Sequence, residues 1–208
     1  MTDYFAIART TRPADWFERI LPALPLRLPN ATIDYWSVYH VAGAGSWSVG
    51  LQGGKVVVHK GIEKPIGVQI SMSAGHFREA MFGALRDKLG DVLTRLGKPK
   101  VLPDLSRLAI DQRQLAATVG VGGVLAVVVR DRAVDDEYAF LITIGDQPAG
   151  QQAPTTTIVA DLDDLVALAA ARTPPHKLLT GGKLRISGDL DRPAKLLSAL
   201  LAATKPAA

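Results

Sequence analysis

Residues 178–203 read LLTGGKLRISGDLDRPAKLLSALLAA. Lys183, Leu184, Arg185, Ile186 and Ser187 alternate polar and apolar, the period-2 pattern of a half-buried strand. Gly188 breaks that strand. Asp189 or Asp191 can cap a helix, and Pro193 sits where a first-turn proline is tolerated, because its missing N–H would be unpaired there anyway. Leu196, Leu197, Leu200 and Leu201 then fall on one face of a helix. A strand, a sharp joint and an amphipathic helix in succession point to an α+β fold.

Working back from there, Thr173, Pro174 and Pro175 stop a helix expected over residues 162–171. Asp163 and Asp164 lie in its first turn, the end where negative charge is favourable. Strands are expected over residues 155–160, 138–144 and 124–130, the last so continuously apolar that both its faces should be covered. Gly120, Gly122 and Gly123 make a turn before it, and residues 104–118 read as a helix with Leu105, Leu108 and Leu115 inward. Further upstream, residues 76–96 have a helical apolar face that Gly83 and Gly90 weaken. Four strands precede it, over residues 34–41, 46–51, 55–60 and 68–72, with Gly53-Gly54 as a hairpin signal between the second and third. In the first of these, Tyr35, Ser37 and Tyr39 share one face and Trp36, Val38 and His40 the other. Residues 14–21 can form a short helix, after which Pro22, Pro25 and Pro29 enforce an extended strap carrying Leu21, Leu24, Leu26 and Leu28.

This pattern divides the chain into an N-terminal helix and strap (residues 1–30), a strand-and-helix unit (31–102) and a second such unit (103–208). The two units share a sense: an apolar strand flanked by Ser or Thr, a short polar joint, then a helix. VQISMSAGHFREAM in one answers TTTIVADLDDLVAL in the other. Self-similarity of this kind argues for duplication.

Composition excludes several classes. At 48% hydrophobic and 21% charged, the chain is globular. It has no cysteine, hence no disulfide, thiol nucleophile or thiolate metal site. The start MTDYFAIARTTRPADW lacks the charged-then-apolar order of a secretory signal, and no stretch reaches about 18 uninterrupted apolar residues. A soluble, cytoplasmic protein without a membrane span is expected. The net charge of +4 is uneven: residues 1–102 hold 13 Lys+Arg against 8 Asp+Glu, and residues 103–208 hold 11 against 12. The basic half allows transient contact with an anionic membrane surface, but no dense basic run with interleaved aromatics points to nucleic acid. His40, His59, His76 and His176 lack metal-ligand spacing, so no metal or other cofactor is expected. No GxSxG is present, and Gly120-Val121-Gly122-Gly123 precedes a strand instead of a helix, so neither a serine hydrolase nor a dinucleotide loop is signalled. Asp161, Asp163 and Asp164 read as a helix-start cluster, and no residue set supports an enzyme.

The stretch GGKLRISGDLDRPAKLLSALL resembles the C-terminal signature of the sterol-carrier-protein-2 (SCP2-like) family. The resemblance extends over residues 103–203 through GVGGVLAVVVRD, YAFLITIGD and TTTIVADLDDLVAL, in the family's order. Residues 31–96 match only its middle, and no alternating strand with a Gly-Asp turn lies between Leu96 and Pro103. The resemblance implies a mostly antiparallel sheet of about five strands covered by helices, in two pseudo-repeats of which the first is degenerate. It also implies non-catalytic binding, and possible transfer, of a lipid or fatty-acyl ligand in an apolar cavity. Candidate lining residues are Tyr138, Phe140, Ile142 and Ile144 on one strand face, with Leu165, Leu168, Leu184, Ile186, Leu190, Leu196, Leu197 and Leu200 opposite, and Arg192 for a head group. The alternative is a lipid-free interaction module that uses the same sheets to hold a protein partner.

Overall fold

The computed structural model describes residues 4–26, 28–95, 108–110, 112–148, 153–169, 173, 175–189, 191, 195 and 204–206. The N-terminal segment begins with a 3-10 turn (Tyr4–Ala6). It continues through a helical turn α1 (Pro13–Asp15), a π-turn (Trp16–Ile20) and a second 3-10 turn (Leu21–Ala23). Pro13 opens α1 where no intrahelical N–H is needed. Four strands follow: β1 (Trp36–Ala42), β2 (Gly45–Gln52), β3 (Lys55–Lys60) and β4 (Ile66–Ser73). Ser73 caps α2 (Ala74–Phe82) by accepting the His76 N–H at 3.0 Å. A break at Gly83 separates α2 from α3 (Ala84–Arg95). The break needs glycine, since a Cβ there would lie 2.7 Å from the Glu79 Cα. Gly90, the other weak point, stays inside α3.

The second unit comprises β5 (Leu108–Ile110), α4 (Gln112–Val121), β6 (Gly123–Asp131), β7 (Asp136–Ile144), β8 (Thr156–Asp161), α5 (Leu162–Ala169), α6 (Pro175–Thr180), β9 (Leu184–Gly188) and β10 (Thr204–Pro206). Two details correct the sequence reading. Residues 108–110 are a strand instead of helix, because they pair antiparallel with β10, a partner almost a hundred residues away that no local pattern reveals. And α4 runs on through Gly120, ending where Gly122 takes a positive φ of 62° and donates its N–H to the Val119 carbonyl. The helix expected after Pro193 lies outside the described residues.

One sheet of eight strands carries both units, in the order β3-β2-β1-β4-β7-β6-β8-β9. The β1–β4 and β6–β8 pairs are parallel and the other five antiparallel, so the sheet is mixed and larger than the five mostly antiparallel strands expected. The units meet where β4 pairs with β7, Val68 opposite Ile144 and Ile70 opposite Ile142. Each unit contains a strand, its hairpin partner, and a returning strand parallel to the first that runs into a helix.

Register places one apolar face under the helices. Over the first unit, Phe17 stacks on Trp47 with ring centres 5.0 Å apart and 14° between planes, while Trp16 meets Phe82 edge-on at 5.2 Å. Trp47, Phe17, Phe77 and Phe82 are each no more than 1% exposed. Leu21, Leu24 and Leu26 of the strap pack on the same cluster, as their spacing suggests. Over the second unit, Leu162 and Val166 of α5 and Val92 of α3 meet Val129 and Tyr138. The opposite face is polar in alternation, with Ser46, Ser48, His40, Gln69, Ser71 and Thr143.

Candidate functional site

The candidate lining residues divide by position along the helix-side face of the second unit. Pairing sets out successive cross-strand rows: Tyr138, Val129, Ala160 and Leu184; then Phe140, Val127, Ile158 and Ile186; then Ile142 and Leu125, with Ile70 of β4 beyond them. The alternation read from sequence therefore does put Tyr138, Phe140, Ile142 and Ile144 on one face. Over β7, β6 and β8 the first row of this face is solid, while Leu184 at its β9 end is half-buried. Tyr138 is 4% exposed, and Phe140 and Leu165 pack on the cluster of Val92, Val129, Leu162 and Val166. Burial, followed by the Asp131 carboxylate, pushes the Tyr138 hydroxyl above its ordinary range. Asp131 itself is 2% exposed, with Oδ1 accepting from Lys88 Nζ at 3.4 Å and the Ala133 N–H at 3.1 Å.

Further along, the face opens. Ile142, Ile144 and Ile186 are half-buried, as are Ile70 and Ile158 beside them, and Leu184 of the first row adjoins Ile186 along the same face of β9. They form a continuous apolar strip whose cover is incomplete. Leu190, Arg192, Leu196, Leu197 and Leu200 lie outside the described residues, as does the side chain of Leu168. Among the described residues, the concavities that stand out are lined by other residues than these candidates.

One of those concavities lies on the polar face. It measures about 530 Å³, and its lining includes His40, Lys64, Gln69, Ser71, Asp146 and Gln147. Gln69 Nε2 donates to the carbonyls of Gly145 and Gln147, at 3.1 and 2.5 Å. Only the amide nitrogen can do this, so Gln69 Oε1 faces His40 Nε2, 3.0 Å away, and that ring nitrogen carries the proton. In the neutral ring with that tautomer, His40 Nδ1 accepts from the Ser46 hydroxyl at 2.9 Å. The turn after β3 folds over the same face: Ser48 Oγ donates to the Gly61 carbonyl and accepts the Glu63 N–H. Lys64 and Asp146, 2.7 Å apart, tie this turn to the segment after β7. Local spacing does not reveal this network, because its members come from β1, β2 and β4, the turn after β3 and the segment after β7. The signal that could have found it is the polar alternation of Ser46 and Ser48 in β2 and of Gln69, Ser71 and Ser73 in β4, with His40 between them in β1.

His59, His76 and the helix-start acids are partnered structurally. His76 Nδ1 accepts the Ala139 N–H, His59 lies 3.2 Å from Glu63, and Asp161, Asp163 and Asp164 face Arg132, Lys88 and Lys183. Among the described residues no group of three or more His, Asp or Glu is placed to hold a metal ion, and no helix is long and apolar enough to cross a membrane.

An α+β sheet carrying helices on one face, with a half-buried apolar strip beneath them, defines the class of this molecule. Within it, residues 105–200 match the model of the SCP-2 sterol transfer family, so the resemblance read from the closing stretch holds for the later unit. No curated protein matches the chain. Among solved structures, the sterol carrier protein domain 2 of Helicoverpa armigera is 21% identical, with a TM-score of 0.33, over 42% of this chain and 74% of that one. Sterol carrier protein 2 like 2 from Aedes aegypti is 20% identical, with a TM-score of 0.33, over 57% of this chain and 99% of that one. A palmitated SCP2L2 from Aedes aegypti is 22% identical, with a TM-score of 0.32, over 41% of this chain and 86% of that one. These overlaps are partial, and the assignment of the later unit rests on the family match.

Proposed function

We propose that the later unit binds a lipid or fatty-acyl ligand non-catalytically, with the acyl chain lying along the strip of Ile142, Ile144, Leu184 and Ile186. The observation that carries this reading is the match of residues 105–200 to the SCP-2 sterol transfer family. The half-buried state of the strip supports it, since surface that is still partly exposed can be covered by a guest. Each CH₂ so buried contributes roughly 0.8 kcal/mol, which gives affinity without selecting one lipid. The first unit shares the hairpin and the parallel returning strand but adds β3 between them, and its apolar face is sealed by Phe17 and Trp16, so we read it as a unit that binds no lipid. Candidate lining residues outside the described ones, Leu190, Leu196, Leu197 and Leu200, would supply the other wall, with Leu168 beside them and Arg192 at the head group.

Mass spectrometry of gently purified protein tests this: a co-isolated fatty acid or sterol is expected. Displacement of a fluorescent fatty acid by oleate should be saturable, and weakened about tenfold or more by Ile142→Asp or Ile186→Asp, each of which sets a charge in the path of the chain. Lipid-free protein with no saturable displacement overturns the proposal. The solid packing of Tyr138, Phe140 and Leu165 favours a second reading, in which the sheet serves protein contact alone. Under it, both Asp variants leave the response to lipid as flat as the wild type's.

A further inference from the structure

A smaller concavity, of about 220 Å³, lies at the ends of β6, β8 and β9. Arg132, from the turn between β6 and β7, stands on one side of it. Lys183, the turn of Gly181 and Gly182, and Arg185 stand on the other, with Val159, Ala160 and Asp161 as the floor. We propose that this cleft is an anion site that takes a phosphate group.

The charge balance is the first argument. Three cations line the cleft against one carboxylate. Asp161 Oδ2 accepts from Arg132 Nη2 at 2.7 Å, and Lys183 Nζ lies 2.8 Å from Asp164 Oδ1 on α5. Arg185 has no carboxylate partner among the described residues and is exposed. Even with Asp164 counted, the cleft holds one more positive charge than negative. That uncompensated charge belongs to Arg185, and a bound anion neutralises it.

Geometry is the second. Asp161 occupies one edge of the Arg132 guanidinium and thereby aims it. A guanidinium has five N–H donors in a planar fork, so the remaining edge is free for a tetrahedral oxyanion, which guanidinium groups bind bidentately. Lys183 adds a point charge, and Arg185 a second fork, from the opposite wall. Gly182 forms the turn of that wall, where its φ of +66° favours glycine, and the space beside it is open, with nothing within 4 Å of where a Cβ would stand. The volume falls below the roughly 300–1,000 Å³ of pockets that enclose whole ligands. The cleft therefore fits a group such as phosphate, carried either on a small soluble molecule or on a lipid head. By strand alternation Arg185 faces away from Leu184 and Ile186, so the site stands independently of acyl-chain binding.

Inorganic phosphate, titrated calorimetrically at constant ionic strength against chloride, is expected to saturate one site. Arg185→Gln and Lys183→Gln should each weaken it about tenfold or more, as the loss of a charge-assisted hydrogen bond does. Arg185 is exposed, so its variant should keep the wild-type circular dichroism and melting temperature. Sedimentation with phosphatidylcholine vesicles, with and without phosphatidic acid, identifies the source. Binding that needs phosphatidic acid and fails in Arg185→Gln assigns the phosphate to a lipid head. Phosphate saturation without vesicle binding assigns it to a soluble ligand. No phosphate saturation together with no phosphatidic-acid-dependent binding, or either response surviving intact in Arg185→Gln, overturns the proposal. Fluorescent fatty-acid displacement should be the same in Arg185→Gln as in the wild type, which separates this site from the apolar strip.

Discussion

A glutamine at 3% exposure in a central strand is tolerable only if its amide is fully paired, and Gln69 meets that condition. Its nitrogen holds two carbonyls of the segment after β7, and its oxygen holds His40. Gln69→Leu keeps the bulk but strands these three groups, so unfolding free energy should fall by about 2–4 kcal/mol in urea titration. A loss below about 0.5 kcal/mol would mean that the carbonyls find water. The neighbouring position predicts the opposite sign. Thr143 is 1% exposed and pairs across from Gln69, yet its hydroxyl has no hydrogen-bond partner among the described residues. Thr143→Val replaces that hydroxyl with a methyl of similar shape and should stabilise the protein by about 1 kcal/mol in the same titration. Destabilisation would show that the hydroxyl is paired after all.

At the scale of elements, the N-terminal segment is clasped on α2 and α3 by polar contacts around an aromatic plug. The Tyr4 hydroxyl donates to the Met81 carbonyl, Arg86 Nη1 donates to the Ile7 carbonyl, and Asp87 sits between Arg9 and Arg86. Burial alone would raise the Asp87 carboxyl, but the hydrogen bonds from Arg9 and Arg86 outweigh it and hold it below the ordinary carboxylate range. A carboxyl lowered by folding stabilises the fold fully above its unfolded value, about 3.9, and loses that stabilisation as pH falls through the lower folded value. Acid should therefore loosen this clasp, seen as cleavage near residues 8–12 by an acid protease at pH 3 but not at pH 5, and Asp87→Asn should bring the cleavage to pH 5. Cleavage that ignores both pH and the substitution would sink this account. Phe17→Ala, which empties a site stacked on Trp47, should cost about 3–5 kcal/mol. Most of these elements were legible in the sequence, because β3 is an apolar run between glycines, β6 follows Gly122, β8 follows Pro154, and α5 carries acids in its first turn. What was not legible is what fills each face. Phe17 sits thirty residues from Trp47, and no periodicity reports that an aromatic strap seals the first unit while the strip at Ile142 and Ile186 stays half-covered. The phosphate cleft was hidden for the same reason, since Arg132 and Arg185 meet only through the β6–β8–β9 pairing.

Across the whole molecule, the question is whether two units or one fold cooperatively. The sequence reading places a boundary at residues 102–103, outside the described residues, and composition shifts there. The sheet nevertheless continues from one unit to the other through β4 and β7, paired over four residues from Val68–Ile144 to Ser71–Leu141. Side chains reinforce the seam: Gln69 hooks the Gly145 and Gln147 carbonyls, Lys64 pairs with Asp146, and Lys88 of α3 bridges Asp131 and Asp163. A sheet edge left bare presents a row of unpaired N–H and C=O groups and recruits another strand. In a chain cut to residues 103–208, β7 becomes such an edge, and its Ile142 and Ile144 lose Ile70 and Val68. That fragment should therefore associate, dimerising or aggregating in sedimentation velocity at concentrations where the full chain runs as a single species. In the full chain, urea unfolding followed by tryptophan fluorescence should coincide with unfolding followed by circular dichroism. Trp36 and Trp47 lie in the first unit and Trp16 in the N-terminal segment packed on it, whereas circular dichroism sees both units. A monomeric, stably folded fragment together with two separate transitions would show that the shared sheet is only a juxtaposition of independent halves.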